Sequence, residues 1–422
     1  VGSRAAVVVT GTEVLTGRVS DRNGPWLAEQ LRQLGVDIAH LVVVGDRPAD
    51  LTAALSFVTG LGLDLVVTSG GLGPTADDLT AEVVGTFQGR PARLDTELER
   101  HIGEIVARFS ARRGWRLDPE ATAAGTRKQA LVPEGATVLA PVGTAPGLIV
   151  PPGPGRTAPP IVVLPGPPRE LQGMWPAVVA DPLVVSALRG RTELRQRTMR
   201  LWGTPESELA ATLRQLGNRL DDLEVTTCLH DGELEIVTRF GPGAQDGYDA
   251  FATAIGDTYP DTLFSPDGRT IDDLVATALL ARGLTIATAE SCTGGLLAGR
   301  LTDRPGSSAY VQGGVISYSN AVKEQVLDVP AELIERLGAV SAEVADAMAS
   351  GVRARLGTDI GVGITGIAGP DGGTPDKPVG LVYLSVRDAA RTEVRRIVLP
   401  GNRADVRRRA VLVAMHLIHG LL

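Results

Sequence analysis

The sequence predicts an α/β protein: two three-layer α/β domains joined by a small α+β module. Three observations carry this. Short runs of Val, Ile and Leu alternate with amphipathic stretches of helical period in the opening and closing parts of the chain. Between residues 176 and 266 the pattern changes to strands of alternating polarity around a helix. Finally, 422 residues are too many for one ordinary core, and 43% hydrophobic with 21% charged residues is a globular balance. The domains are therefore placed at 1–175, 176–266 and 267–422.

In the first domain, residues 5–10 read as a strand and 23–34 as a helix, with Trp26, Leu27, Leu31 and Leu34 on one face. A second strand follows at 40–44, a helix at 49–58 and a third strand at 64–68. This alternation implies a parallel sheet covered on both faces. Residues 150–160, "VPPGPGRTAPP", hold too much Pro and Gly for helix or sheet, and feed the strand 161–164. The middle module has strands at 198–202 and 233–238 and a helix at 205–216. After Pro266-Asp267-Gly268 come a helix at 271–282, strands at 284–289 and 315–318, and a closing helix near 404–418.

Composition excludes several roles. The 41 basic and 49 acidic residues give a net charge of −8, which disfavours nucleic acid and anionic membrane as partners. Cys228 and Cys292, far apart in sequence, suggest neither a disulfide framework nor a cysteine zinc site. The opening "RAAVVVTGTEVL" turns polar too quickly for a signal peptide, and no apolar run approaches the ~20 residues that span a bilayer. A cytoplasmic protein is expected.

Two stretches carry chemistry. "VVTSGGLGPTADDLT" (66–80) is a strand, a glycine turn and a helix start, a combination suited to phosphate. Asp77 and Asp78 sit where that helix should begin, where one acid would serve as a cap. Two acids beside a phosphate-suited turn instead suggest a divalent cation. Glu13 and Asp46 follow the first two strands, so they should share the sheet edge where open α/β folds bind ligands. A solvated acidic rim would look the same.

In "AESCTGGLLAGR" (289–300), Ser291, Thr293, Gly294 and Gly295 end a strand and open a helix. Helix capping is the stronger reading of this stretch alone. Downstream, "GGVISYSNAVKEQVLDV" (313–329) puts Lys323 in the first turn of a helix capped by Asn320. The dipole there, and any burial, would lower the pKa of Lys323 toward that of a base. A surface lysine balanced by Glu324 is the alternative. The five-residue step from Tyr318 to Lys323 does not fit the four-residue step of short-chain dehydrogenases. "GVGITG" (361–366) leads into no helix and fails the dinucleotide-binding context.

"GTEVLTG", "VGDR", "SGGLGPTADDLT", "GTAPG" and "LPGPPREL" together resemble the molybdopterin-binding-like domain of the CinA family. "AESCTGG", "GSSAYVQGGVISYSNAVK", "GITGIAGPDGG" and "KPVGLVYLSV" resemble its C-terminal domain. For the second domain the resemblance implies hydrolysis of the nicotinamide mononucleotide amide without a cofactor. Ser291 would be the nucleophile, with Tyr318 and Lys323 moving protons. Thr293, Gly294 and Gly295, with Thr365, Gly366 and Gly369, would bind substrate. Cys292 is a rival nucleophile, but none of the five histidines forms a recognisable Cys/His pairing with it. Arg403 and Arg407 would hold the phosphate, although a solvated helix face explains them equally well.

For the first domain the resemblance implies divalent-metal-dependent cleavage of ADP-ribose. Asp46 and Asp78 would be catalytic, and the metal set would be Glu13, Asp46, Asp77 and Asp78. Gly70, Gly71, Gly73 and Thr75 would bind the nucleotide. A molybdopterin-handling protein and a competence-related scaffold are the alternatives. The middle module resembles the KH-like region of the family but lacks a basic G-x-x-G loop, so it reads as a spacer or dimerisation element. A homodimer is expected on symmetry grounds.

Overall fold

The computed structural model describes residues 2–114, 116–230 and 232–422. They form two compact units: 1–196 with 240–243, and 197–239 with 244–422.

The first unit contains β1 (Arg4–Thr10), β2 (Asp37–Val44), β3 (Leu65–Ser69), β4 (Ala92–Leu94), β5 (Leu131–Pro133), β6 (Thr137–Leu139), β7 (Gly147–Val150) and β8 (Ile161–Leu164). Its main sheet has the order β2-β1-β3-β8-β7-β6, while β4 and β5 pair separately. β1 is buried on both faces, and its residues alternate between two cores. Ala6 and Val8 join Leu55, Val66 and Ile102 on one side. Ala5, Val7 and Val9 join Leu27, Leu31, Leu171 and Trp175 on the other. That is a three-layer arrangement.

The sheet is parallel from β2 to β8 only, because β7 runs antiparallel to β8 and β6 antiparallel to β7. This corrects the all-parallel expectation. The Pro/Gly loop after β7 is too short for the crossover of a dozen or more residues that a parallel neighbour needs. Residue 175 lies inside the helix Pro168–Ala180, so the first unit extends past the expected boundary.

The second unit holds two sheets. β9 (Arg195–Trp202), β10 (Leu223–His230), β11 (Glu233–Phe240) and β12 (Leu263–Ser265) form the middle sheet, in the order β10-β11-β9-β12. β13 (Ile286–Glu290), β14 (Val311–Ile316), β15 (Ile360–Gly366), β16 (Leu381–Arg387) and β17 (Thr392–Val398) follow in the order β14-β13-β15-β16-β17. Helices Ile271–Arg282 and Arg403–Leu421 share one core with this sheet. Helix Ala342–Leu356 covers the opposite face through Val344, Met348 and Val352.

The glycines of "GVGITG" serve that last contact. A Cβ on Gly361 would lie 2.1 Å from the Ala349 carbonyl oxygen, and one on Gly363 would lie 2.0 Å from that of Ala345. Only bare backbone allows the helix to sit so close to β15.

The middle sheet meets the last helix at His416. The ring stacks on Trp202 at 4.1 Å and meets Phe264 edge-on at 4.7 Å. Its Nε2 lies 2.6 Å from Glu233 Oε1. Burial lowers the His416 pKa below its ordinary value, outweighing the Glu233 carboxylate, which raises it.

Two predictions follow from this packing. Gly363→Ala should cost about 1–3 kcal/mol by overpacking, read from the denaturant midpoint, and an unchanged midpoint would contradict the close approach. For His416 the folded-state pKa lies below the unfolded one, so on acidification the unfolded chain takes up the proton first. Stability should therefore fall as pH drops below about 6.5, and His416→Gln should flatten that part of a melting-temperature series.

Candidate active site

β14, β13 and β15 run parallel, so their carboxyl ends meet on one edge of the sheet. Ser291 extends β13 by one residue, its N–H donating to the Ile364 carbonyl at 2.9 Å. The chain then turns through Gly294 (φ 60) and Gly295 (φ 92) into the helix Leu296–Thr302. The expected Ser or Thr cap is not formed; the buried Glu290 carboxylate takes that role. It accepts from Gly295 N at 3.0 Å, Leu297 N at 3.1 Å and Ala298 N at 2.8 Å, and from Thr288 Oγ1 at 3.2 Å. The Gly294 N–H goes to the Ser291 carbonyl at 3.2 Å. The Gly294 and Gly295 amides are therefore already engaged. Sequence reading missed Glu290, although an acid placed just before a glycine turn at a strand end was the available signal.

Freed from capping, Ser291 Oγ accepts from Lys323 Nζ at 3.2 Å. Lys323 is only 1% exposed, which removes the surface-lysine alternative. Its Nζ also donates to the Ser317 carbonyl at 2.7 Å and to that of Tyr318 at 3.4 Å. Burial pushes its pKa below the ordinary 10.5. The helix Asn320–Leu327 is capped by Ser319, whose Oγ accepts from Val322 N, and not by Asn320. The reason is that β14 ends at Ile316, two residues before the expected strand end, so Ser319 takes the extended cap conformation. Cys292 is buried, and that burial, the largest cause, pushes its thiol up to about 12, which disfavours the nucleophilic thiolate.

Tyr318 stands elsewhere. It is 62% exposed, and its hydroxyl accepts from Arg403 Nη2 at 3.0 Å; only its main-chain carbonyl reaches Lys323. Arg403 Nη1 donates to the Gly369 carbonyl at 2.9 Å, so Tyr318, Gly369 and Arg403 form one rim. One helical turn on, Arg407 Nη2 donates to the Thr293 carbonyl at 2.9 Å and anchors the glycine turn. Thr293 is fully buried, with its hydroxyl unpartnered among the described residues. Thr365 is turned away, its hydroxyl donating to the Ala339 carbonyl at 2.7 Å, and Gly366 is the last residue paired with β16.

In the first unit, Gly70 and Gly71 take φ values of 106 and 66 beyond β3, and a Cβ on Gly70 would lie 2.4 Å from the Thr10 carbonyl oxygen. Thr75 Oγ1 lies 2.5 Å from both Asp77 Oδ1 and Asp78 Oδ2, and Thr75 N donates to Asp78 Oδ2 at 3.0 Å. The Thr75 hydrogen bond holds the Asp77 carboxyl below its ordinary range. The following helix is Thr80–Gln88, so neither Asp77 nor Asp78 caps it as expected. Asp46 Oδ2 accepts from Thr12 N at 2.8 Å. A cavity of about 300 Å³ is lined by Gly71, Gly73, Asp78, Glu82 and Lys128 among others. Among the described residues no three His, Cys, Asp or Glu side chains come together to hold a metal ion. Asp77 and Asp78 share the Thr75 hydroxyl, and Asp46 is held by the Thr12 N–H.

Residues 268–422 match the CinA C-terminal domain, and residues 6–184 match the family described as probable molybdopterin binding domain. A CinA-like protein of Mycolicibacterium gilvum is 58% identical over 420 residues, covering 99% of this chain and 98% of its own. The chain belongs to the CinA family. A second CinA-like protein, from Mycobacterium sp. (strain MCS), is 56% identical with the same coverage. Among solved structures, the competence/damage inducible protein CihA from Agrobacterium tumefaciens is 38% identical; the match covers 36% of this chain and 94% of that one, with a TM-score of 0.35. No described helix of this CinA-family chain is long and apolar enough to cross a membrane.

Lys323→Met tests whether the buried amine serves chemistry or packing. Met fills similar space but leaves the buried Ser317 carbonyl without its donor, so stability should fall by about 1–3 kcal/mol, measured by denaturant unfolding. Destabilisation of several kcal/mol would make Lys323 a structural residue.

Proposed function

We propose that the C-terminal domain hydrolyses the carboxamide of nicotinamide mononucleotide to nicotinic acid mononucleotide and ammonia. The observation that carries this reading is the buried Lys323 amine within 3.2 Å of Ser291 Oγ, at a strand end, with its pKa lowered by burial. In its neutral form the amine accepts the serine proton as Oγ attacks the amide carbon. The resulting ammonium returns that proton to the nitrogen as the C–N bond breaks, so ammonia leaves and an ester to Ser291 remains. Water then cleaves the ester, giving its proton to Lys323 and restoring Ser291. Arg403 and Arg407 stand on the same edge as cations for the substrate phosphate. The bond between Arg403 and Tyr318 favours a binding role for that tyrosine.

The first unit supports a narrower reading. Its match to the molybdopterin-binding family favours a phosphorylated ligand at the Gly70–Gly73 turn. No three His, Cys, Asp or Glu side chains come together among the described residues, and no step is derived through a metal.

The decisive assay is ammonia release from nicotinamide mononucleotide. Release should persist in EDTA and vanish in Ser291→Ala. It should also rise with pH as Lys323 loses its proton, with a midpoint below the ordinary 10.5. Release that depends on metal, or that survives in Ser291→Ala, would remove the serine mechanism.

A further inference from the structure

We infer that Glu290 is a positioning residue: its carboxylate fills the place of an external anion inside the serine turn and thereby holds Ser291 Oγ against Lys323. The consequence for rate rests on the amidase reading above; the geometry does not.

Backbone N–H groups at the start of a helix are unpaired donors and normally await a cap, water or an anion. Here three of them, from Gly295, Leu297 and Ala298, converge on one carboxylate that is 1% exposed, and Thr288 Oγ1 supplies a fourth donor. A charge this deeply buried is tolerated only when fully hydrogen-bonded. Because Glu290 lies inside the turn, the chain has to pass around it, and Gly294 and Gly295 adopt positive φ to do so.

Ser291 is the next residue along. It is fixed at its N–H by Ile364, at its carbonyl by Gly294 and at its hydroxyl by Lys323. Two of those restraints come from elements on either side, and the Gly294 restraint persists only while the helix start stays tied to Glu290. The same occupancy keeps a substrate phosphate out of the glycine turn, leaving Arg403 and Arg407 as the cations for it.

The test compares Glu290→Ala and Glu290→Gln with the parent full-length chain, with and without added sodium formate. Two quantities are followed: ammonia release, and hydrogen exchange of the amides over residues 295–298. Glu290→Ala should lose roughly 10²-fold in kcat through misplacement of the nucleophile, with KM little changed. Its 295–298 amides should exchange faster, and formate should restore part of both losses. Glu290→Gln keeps the shape and one acceptor oxygen, so it should fold and fall between the two; it also replaces the alanine variant if that does not fold. Unchanged amide protection without the carboxylate would overturn the internal-anion role. Lost protection with kcat intact would overturn the positioning role. Should the parent chain release no ammonia, the amidase reading fails by itself, and exchange still decides whether Glu290 holds the turn.

Discussion

A lysine amine sealed from water has to find acceptors, and in the C-terminal sheet that requirement for Lys323 dictates where neighbouring elements stop and start. Its Nζ reaches the carbonyls of Ser317 and Tyr318 and the hydroxyl of Ser291. For those atoms to surround it, β13 must give way to the serine turn, β14 must end at Ile316, and a helix must begin at once under the Ser319 cap. Desolvation disfavours the ammonium, so burial lowers the Lys323 pKa and raises the share of the neutral amine that can accept a proton. Burial that would be a liability in an ordinary core is here what favours the unprotonated amine.

The last helix ties this edge to the middle sheet. Arg403 and Arg407 project from its first two turns to Gly369 and the Thr293 carbonyl, while its middle is core, with Ala410, Val413 and Ala414 buried. His416 lies 13 residues beyond Arg403, about 20 Å along a helix rising 1.5 Å per residue. There it packs on Trp202 and Phe264. Two cations at a helix N-terminus oppose its dipole, but here their guanidinium groups donate to carbonyl oxygens, which offsets part of that cost. The middle sheet thus buttresses the element that carries the arginines.

Much of the fold was legible. The apolar runs that became β1, β3, β8 and β13 were found within a residue or two, because strands buried on both faces leave an uninterrupted Val/Ile/Leu/Ala signature. Strand direction was not legible, since a short Pro/Gly loop decides it and residue pattern does not. Ser291, Lys323 and Arg403 were named and are brought to one edge. Tyr318 and Thr365 were named and lie outside the reacting group, because a side chain's direction depends on where its strand ends and on which carbonyl it meets. The glycines of "GVGITG", rejected as a cofactor fingerprint, proved to be a packing device that only the facing helix could explain.

By itself the sequence determined the α/β class, the strand-turn-helix segments and the residue types able to do acyl chemistry, because these follow from local periodicity and side-chain inventory. Tertiary structure alone decided that Glu290 and not Ser291 caps its helix, that Lys323 is buried, and that Lys323 meets Ser291. Each of these depends on distances between segments remote in the chain, and those distances are set by how the layers pack.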